Sequence, residues 1–127
     1  VMIKKKILVV DDSATLRASV NYTLRAAGFE TVNAVNGADG LEKLTDAHKH
    51  GDVIGMIISD INMPVMDGIT FIKEVKKTPF RFLPILVLTT ESQEEMKLKG
   101  KQAGASGWLV KPFKPEQLVY VTKKFMR

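Results

Sequence analysis

The sequence predicts a doubly wound α/β domain, in which a five-stranded parallel sheet carries five helices on its two faces. Two observations lead to this prediction. Short apolar runs such as Ile7–Val10 and Ile85–Leu88 alternate with longer segments whose apolar residues recur every three or four positions. These runs lack the apolar-polar alternation of half-exposed strands, and continuous apolar runs are typical of strands that are covered on both faces.

The first strand, Ile7–Val10, is followed by a helix whose N-cap is predicted to be Ser13. Gly28 stands where a left-handed residue ends a helix, and Glu30–Ala34 is predicted to be the second strand. The apolar stripe of this helix recurs at i, i+4, i+8 and i+11 and consists of Leu16, Val20, Leu24 and Ala27.

The middle of the chain repeats this order. Asn36-Gly37 is predicted to form a turn before the second helix, whose buried residues are expected to be Leu41 and Leu44. Met56–Ser59 is predicted to be the third strand, and a tight loop with Pro64 and Asp67-Gly68 follows it.

The third helix is predicted to end before Pro79, because a residue that precedes proline avoids the helical region. Its buried residues are expected to be Ile69, Ile72 and Val75. The remaining elements are predicted to be a strand at Ile85–Leu88, a polar helix at Ser92–Ala103 ended by Gly104, a strand at Trp108–Val110, and a helix at Pro115–Met126.

Composition limits the class of protein. The 127 residues, 45% of them hydrophobic, fit one domain, and we expect residues 1–127 to form a single one. The apolar run after Lys4–Lys6 stops at Asp11-Asp12, too early for a signal peptide or for the roughly 20 residues of a membrane span. The absence of cysteine excludes disulfides, and we expect a cytoplasmic protein that does not bind membranes. Val1 precedes Met2 and is expected to be a cloning remnant.

The net charge of +5 is unevenly distributed along the chain. Residues 1–91 contain equal numbers of basic and acidic residues, whereas residues 92–127 contain eight basic and three acidic ones. This excess predicts a partner-binding face in the last third of the chain and an acidic protein partner. The predicted face consists of Lys97, Lys99, Lys101, Trp108, Lys114, Lys123 and Lys124.

Acidic residues follow two of the predicted strands. Asp11-Asp12 comes after the first strand and Asp60 after the third, and ligands of open α/β sheets bind at these carboxyl ends. Acidic residues at such positions can also act merely as helix caps. Three carboxylates that converge would repel one another without a cation, and a ligand set of oxygen atoms alone favours Mg²⁺.

Polar residues follow the last two strands as well, namely Thr89 and Lys111. Each alone could be a helix cap or a surface lysine. Together with the acidic residues they form a set suited to phosphoryl transfer, because a carboxylate can attack while a cation, an ammonium and a hydroxyl bind the phosphoryl oxygens. The sequence therefore predicts Asp60, Thr89 and Lys111 as the reactive group.

The order of these motifs resembles the receiver domain of two-component response regulators, over essentially the whole chain. Stand-alone receivers of the chemotaxis type are the most similar, and the resemblance implies the flavodoxin-like strand order 2-1-3-4-5. The motifs are Val9-Val10-Asp11-Asp12-Ser13, Asp60-Ile61-Asn62-Met63-Pro64-Val65-Met66-Asp67-Gly68, Thr89, Ala103-Gly104-Ala105-Ser106-Gly107 and Lys111-Pro112-Phe113.

The resemblance implies that Asp60 accepts a phosphoryl group from a histidine kinase, a phosphotransfer protein or a small acyl phosphate. Mg²⁺ would be bound by Asp12, Asp60 and the backbone carbonyl of Asn62, with Asp11 acting largely through water. Thr89 and Lys111 would bind the phosphoryl oxygens, and the Lys111-Pro112 bond would be cis. Such a protein catalyses only its own phosphorylation and dephosphorylation and is otherwise not an enzyme.

Other positions concern regulation. Asn62 and Glu91 resemble the pair that tunes access of the hydrolytic water, which implies fairly rapid self-dephosphorylation. Thr89 and the residue at position 108 would form the conformational switch. The family normally has Tyr or Phe at that position, and Trp108 is larger and offers only a donor, so its inward placement is expected to be strained.

Alternative functions differ in their motifs. A phosphorelay or scaffold receiver would share every motif with the chemotaxis type. A phosphohydrolase of the haloacid-dehalogenase type would have Asp-x-Asp after its first strand, and a flavodoxin-like nucleotide domain would have a glycine-rich loop there. A degenerate receiver would lack part of the acidic, Thr89 and Lys111 set. We expect a monomer without direct nucleic-acid binding, and we expect His48 and His50 to lie in a solvated loop, not a metal site.

Overall fold

The computed structural model describes residues 4–126, so the expectation for Val1 lies outside the described residues. The chain alternates strands and helices as predicted. In order, the elements are β1 (Lys5–Val10), α1 (Ala14–Ala26), β2 (Glu30–Ala34), α2 (Gly37–Lys49), β3 (Val53–Ser59), α3 (Gly68–Val75), β4 (Ile85–Thr89), α4 (Glu94–Ala103), β5 (Gly107–Val110) and α5 (Pro115–Phe125). None of the helices in this part of the chain combines the length and the apolar character needed to cross a membrane.

All neighbouring strands are parallel, and their order in the sheet is β2-β1-β3-β4-β5. This confirms the predicted fold class and strand order. The order reverses at β1, which lies between β2 and β3. Val10 is paired with Ser59 and Ser59 with Val87, so the carboxyl ends of the three central strands lie side by side. A crevice outside these ends is where ligands of such sheets bind.

Two apolar clusters cover the two faces of the sheet. One of them joins the sheet to α2 and α3 and includes Leu44, Phe71 and Ile72, while the other joins it to α1 and α5 and includes Leu24 and Leu118. The strand residues of both clusters are almost fully buried, which explains why the strands are continuous apolar runs.

The ends of the elements differ from the predicted ends by at most three residues. Two of these differences, at the starts of β1 and β3, have a common cause. Strand β1 begins at Lys5 because Lys5 pairs with Val53 and Lys6 with Ile54, and the same pairing moves the start of β3 forward. A residue can join a strand whenever a neighbouring strand offers backbone hydrogen bonds, whatever its side chain. A run of apolar residues in the sequence therefore does not mark the full length of a strand.

The buried face of α3 was predicted incorrectly at one position. Ile72 and Val75 are fully buried as expected, but the third fully buried residue is Phe71, and Ile69 is only partly buried. The reason lies in α2, where Gly37 and Gly40 have no side chain. A Cβ atom at Gly40 would lie 2.8 Å from Cε1 of Phe71, so the two helices pack closely around this ring.

The histidines were also assigned incorrectly to a loop. His48 belongs to the last turn of α2 and His50 is the C-cap residue of that helix. Both are exposed, and the ring of His48 lies edge-on to Phe80 with 6.0 Å between the ring centroids. Within residues 4–126, the acidic cluster of the strand ends is the one group found with the geometry to bind a metal.

Gly68, the first residue of α3, lies against the backbone that follows β3. A Cβ atom at Gly68 would lie 2.1 Å from the backbone oxygen of Asp60 and 2.7 Å from Cα of Ile61. We expect Gly68→Ala to lower the free energy of unfolding by at least about 3 kcal/mol, because backbone atoms cannot move aside as side chains do. Urea denaturation would measure this loss.

Gly28→Ala is the matched control. Gly28 has a φ of +94°, but a Cβ atom there would have nothing within 4 Å. We expect it to cost only about 1 kcal/mol, the penalty for a left-handed residue. Equal losses in the two variants would contradict a steric role for Gly68.

Candidate functional site

Four of the predicted site residues lie at the carboxyl edge of the sheet. Asp11 follows β1, Asp60 follows β3, Thr89 ends β4 and Lys111 follows β5. Backbone hydrogen bonds continue the sheet into this edge, since Asp60 N donates to Val10 O at 3.0 Å and Lys111 N donates to Thr89 O at 2.7 Å. The sheet thus holds these residues by their backbones, which gives the side chains a rigid support.

The carboxylate of Asp60 has a partner for each of its oxygens. Oδ1 accepts a hydrogen bond of 2.7 Å from the N–H of Ile61, and Oδ2 lies 3.2 Å from Nζ of Lys111. Asp60 as a whole is only 8% exposed. The backbone oxygen of Asp60 accepts a hydrogen bond from Oγ of Ser59, and Gly68 N donates to Ile61 O at 2.8 Å. The carboxylate is therefore held in one orientation at the mouth of the crevice.

Lys111 joins the two central acidic strand ends. Its ammonium lies 2.9 Å from Oδ2 of Asp11 in addition to the 3.2 Å contact with Asp60. The side chains of the three residues are all about nine-tenths buried, so these ion pairs are weakly screened by solvent. Buried charges of this kind are stable only when they are paired.

The third carboxylate belongs to Asp12, which is exposed. Carboxylate oxygens of Asp11, Asp12 and Asp60 all lie within 4.8 Å of one another. One ammonium against three carboxylates leaves two negative charges at this point, the charge that one divalent cation would balance. The ligand atoms are all oxygens, which hard cations such as Mg²⁺ prefer. The residues present therefore fit a divalent cation.

The loop between β1 and α1 is ordered by its own side chains. Oδ1 of Asp11 accepts a hydrogen bond from Ser13 N, and Oγ of Ser13 in turn accepts one from Leu16 N, which confirms Ser13 as the N-cap of α1. The guanidinium of Arg17 donates to the backbone oxygen of Asp11. Arg17 is not among the predicted site residues, although its position one turn after the cap indicates that its side chain can reach back to this loop.

Arg17 also affects the neighbouring helix α2, at Asp39 in its first turn. Burial raises the pKa of Asp39, but the opposing contributions are larger in sum and the pKa is lowered overall. They are the hydrogen bonds from Val35 N and Lys43 and the positive charges of Lys43 and Arg17. Asp39 is therefore a charged residue that fixes the start of α2.

Thr89 and Trp108 are connected through the backbone of one residue, Glu91. Thr89 is fully buried, and its Oγ1 accepts a hydrogen bond of 3.3 Å from Glu91 N. The backbone oxygen of Glu91 accepts a hydrogen bond of 3.0 Å from Nε1 of Trp108. The indole is partly buried and packs against the apolar cluster of the α2 and α3 face. The loop after β4 thus links the carboxyl edge of the sheet to β5 and α4.

The remaining predicted residues are placed as follows. Asn62 is exposed in the loop after β3, and Glu91 is partly buried with Oε1 accepting a hydrogen bond of 3.4 Å from Gln93 N. The Lys111-Pro112 peptide bond is cis, as the resemblance implied. The roles of Asn62 and Glu91 in hydrolysis stay predictions that the resemblance implies.

The lysines of the predicted partner face border more than one depression. Lys97, Lys101 and Trp108 border one depression of about 260 Å³ between α4 and β5. Lys114 and Lys124 lie at opposite ends of α5, which is roughly 15 Å long. Lys123 borders a groove between α1 and α5.

Two of the α4 lysines are partly neutralised. Lys97 lies 3.5 Å from Glu94, and Lys99 lies 3.7 Å from Glu95. Exposed pairs of this kind are weak, so the lysines remain available to a partner. The structure brings together Lys97, Lys101 and Trp108 around one depression, whereas Lys123 borders another.

Known proteins share both the sequence motifs and the fold. The chain is 39% identical over 115 residues to chemotaxis protein CheY1 of Helicobacter pylori, an alignment that covers 89% of this chain and 90% of that protein. The structure of the chemotaxis response regulator CheY4 of Vibrio cholerae is similar with a TM-score of 0.85 at 45% identity, over 96% of this chain and 98% of that one.

Longer proteins contain the same unit. The chain is 36% identical to the transcriptional regulatory protein PrrA of Mycobacterium tuberculosis over 122 residues, which are 96% of this chain. It spans only 50% of that protein, and only 15% of the Helicobacter pylori sensor histidine kinase CheAY, to which it is 35% identical. The response regulator receiver domain family matches residues 7–123. This chain belongs to the response regulator receiver domain family.

Proposed function

We propose that this chain is a phosphorylation-activated signalling switch whose phosphoryl acceptor is Asp60. The observation that carries the proposal is the ion pair that Lys111 forms with both Asp11 and Asp60, at 2.9 and 3.2 Å. This contact places a nucleophilic carboxylate, a further carboxylate and an ammonium at one point of the carboxyl edge. A cation beside a carboxylate that receives a phosphoryl group can neutralise the oxygens of that group as charge develops on them.

The donor would be a histidine kinase, a phosphotransfer protein or a small acyl phosphate. An oxygen of the Asp60 carboxylate attacks the phosphorus, a P–O bond forms, and the P–N bond to the donor histidine breaks. The electron pair of that bond stays with the imidazole nitrogen, which takes up a proton from solvent. Lys111 then exchanges part of its contact with Asp60 for a phosphoryl oxygen, and the hydroxyl of Thr89 donates to another.

The divalent cation of this site would be Mg²⁺, held by Asp11, Asp12, Asp60 and the backbone carbonyl of Asn62. When bound, it supplies positive charge to the transferring phosphoryl group. Asn62 and Glu91 lie in the loops after β3 and β4, and we assign them to the control of water access during self-dephosphorylation. Hydrolysis of the aspartyl phosphate by water restores the Asp60 carboxylate and releases inorganic phosphate.

The output face follows from the link between Thr89 and Trp108. A phosphoryl group on Asp60 that draws the Thr89 hydroxyl toward it would weaken the hydrogen bond that this hydroxyl accepts from Glu91 N. The backbone oxygen of Glu91 accepts the hydrogen bond from Trp108, so a shift of Glu91 would reach the indole. The depression bordered by Lys97, Lys101 and Trp108 would change with it. Its two lysines favour an acidic protein partner. The names of CheY1 and CheY4 support a chemotaxis-type role over a phosphorelay role.

Acetyl phosphate with Mg²⁺ should add one phosphoryl group to this protein, on Asp60 alone. Mass spectrometry should detect the addition in the unchanged protein and should detect none in Asp60→Asn or after chelation, because the nucleophile or the cation is then missing. Asp67→Asn is the matched control, since Asp67 lies in the same loop but only caps α3 through Thr70. Addition to Asp60→Asn would refute the assignment of the acceptor.

Lys111→Met should separate phosphoryl transfer from cation binding. We expect phosphorylation by acetyl phosphate to slow by at least about tenfold, because an ammonium that neutralises the phosphoryl oxygens is lost. Mg²⁺ affinity, measured by calorimetry, should stay equal or rise, because a competing positive charge has left the carboxylates.

Lys114→Met removes the same charge from an exposed position at the start of α5 and should change neither quantity. A phosphorylation rate in Lys111→Met equal to that of the unchanged protein would remove Lys111 from the mechanism. Reduced Mg²⁺ affinity would show that its role at the carboxylates is structural.

The double variant Lys97→Glu/Lys101→Glu should slow association with the output partner by about tenfold, because rim charges mainly set the association rate. The partner can be captured from the source cell with the beryllofluoride complex of the protein and its binding then followed at several salt concentrations. Lys123→Glu/Lys124→Glu makes the same change of charge at the far end of α5 and should have little effect. If both double variants slow association equally, the α4 and β5 depression is not the output face.

A further inference from the structure

Gly100 occupies an unusual place for a glycine, in the interior of α4. Glycine in a helix interior destabilises the helix relative to alanine, because its backbone loses more freedom on folding. Gly100 is buried, and a Cβ atom there would lie 2.6 Å from Cζ3 and 3.2 Å from Cε3 of Trp108. Real Cβ atoms do not approach a ring this closely, so the indole occupies space that any other residue at position 100 would fill.

The opposite edge of the same indole makes a polar contact. Nε1 of Trp108 donates to the backbone oxygen of Glu91 at 3.0 Å. The six-membered ring thus rests on α4 while the pyrrole nitrogen holds the loop between β4 and α4. An indole is larger than the Tyr or Phe that the family normally has at this position, and the missing side chain of Gly100 supplies the room.

We propose that Gly100 is a positioning residue for Trp108, which forms a slot in α4 that seats the indole and keeps Nε1 on the oxygen of Glu91. Trp108 then ties α4, β5 and the loop after β4 into one unit. The inference deepens the proposed function and rests on it in one respect, since this unit joins Thr89 to the depression at Lys97 and Lys101. The packing of Trp108 against Gly100 does not depend on phosphorylation.

The size of the slot and the size of the aromatic residue should therefore be coupled. In the presence of Trp108, the methyl group of Gly100→Ala meets a rigid ring that has to leave the slot. In the presence of a smaller ring at position 108, the same methyl group has room, and only the better helix propensity of alanine acts. Gly100→Ala should then change the stability with opposite signs in the two backgrounds.

The test uses the fact that Trp108 is the only tryptophan of the chain. In Gly100→Ala we expect stronger quenching of the indole fluorescence by acrylamide than in the unchanged protein. We also expect hydrogen exchange of the indole N–H to be faster by about tenfold, the loss expected when one hydrogen bond is broken. Gln102→Ala, an exposed substitution in the same helix, is the matched control and should leave both quantities unchanged.

A second measurement guards against misfolding of the single variant. The urea midpoint should fall on Gly100→Ala with Trp108 present and rise on Gly100→Ala in the Trp108→Phe background. Failure of Gly100→Ala to fold, with folding of the double variant, would equally support the slot.

Unchanged quenching and exchange in Gly100→Ala, or a midpoint shift of the same sign in both backgrounds, would overturn the proposal. Neither readout requires a phosphoryl group. A failure of phosphorylation at Asp60 would therefore leave the result on Gly100 interpretable.

Discussion

The ion pair of Lys111 with Asp11 and Asp60 is the interaction on which the rest of this edge depends. Carboxylates whose oxygens lie within 4.8 Å of one another repel, and burial of the Asp11 and Asp60 side chains strengthens that repulsion. The ammonium of Lys111 contacts both of these side chains and reaches Asp11 from 100 positions away in sequence. A parallel sheet makes this possible, because the carboxyl ends of all its strands lie at the same edge.

The negative charge of the three carboxylates is only partly neutralised by Lys111, and the proposed function depends on the charge that remains. A fully neutral cluster would not attract a divalent cation. Asp12 is exposed and adds a charge that Lys111 does not reach, whereas Asp60 is held in one orientation by Ile61 N and Lys111. The proposed phosphoryl transfer would use this arrangement, with the rigid carboxylate of Asp60 as the nucleophile and the exposed carboxylate of Asp12 as a ligand of the cation.

Close backbone packing positions both the site and the surface that responds to it. Gly68 allows the start of α3 to approach the backbone of Asp60, Gly40 accepts the ring of Phe71, and Gly100 accepts the indole of Trp108. At each of these positions a Cβ atom would lie under 3 Å from its neighbour. Glu91 N donates to Oγ1 of Thr89, and Nε1 of Trp108 donates to the oxygen of Glu91, so these bonds connect the carboxyl edge of the sheet to the indole that packs on α4. Because these parts are tightly packed, a small displacement at one end is transmitted to the other and is not absorbed between them.

The sequence by itself determined the fold class, the five strands, the caps Ser13 and Gly28, and the residues that meet at the carboxyl edge. Apolar runs and polar strand ends are local patterns, and a parallel sheet converts them into one site. Only the tertiary structure decided which residues extend the strands, that Phe71 replaces Ile69 in the core, and that Lys97 and Lys101 border one depression and Lys123 another. It also decided that the indole of Trp108 packs against Gly100. These outcomes depend on contacts between segments distant in sequence. Lys5 pairs with Val53 in the sheet, and Gly100 packs against the ring of Trp108. A contact between residues distant in sequence leaves no periodic pattern along the chain, and for that reason packing, not periodicity, decides it.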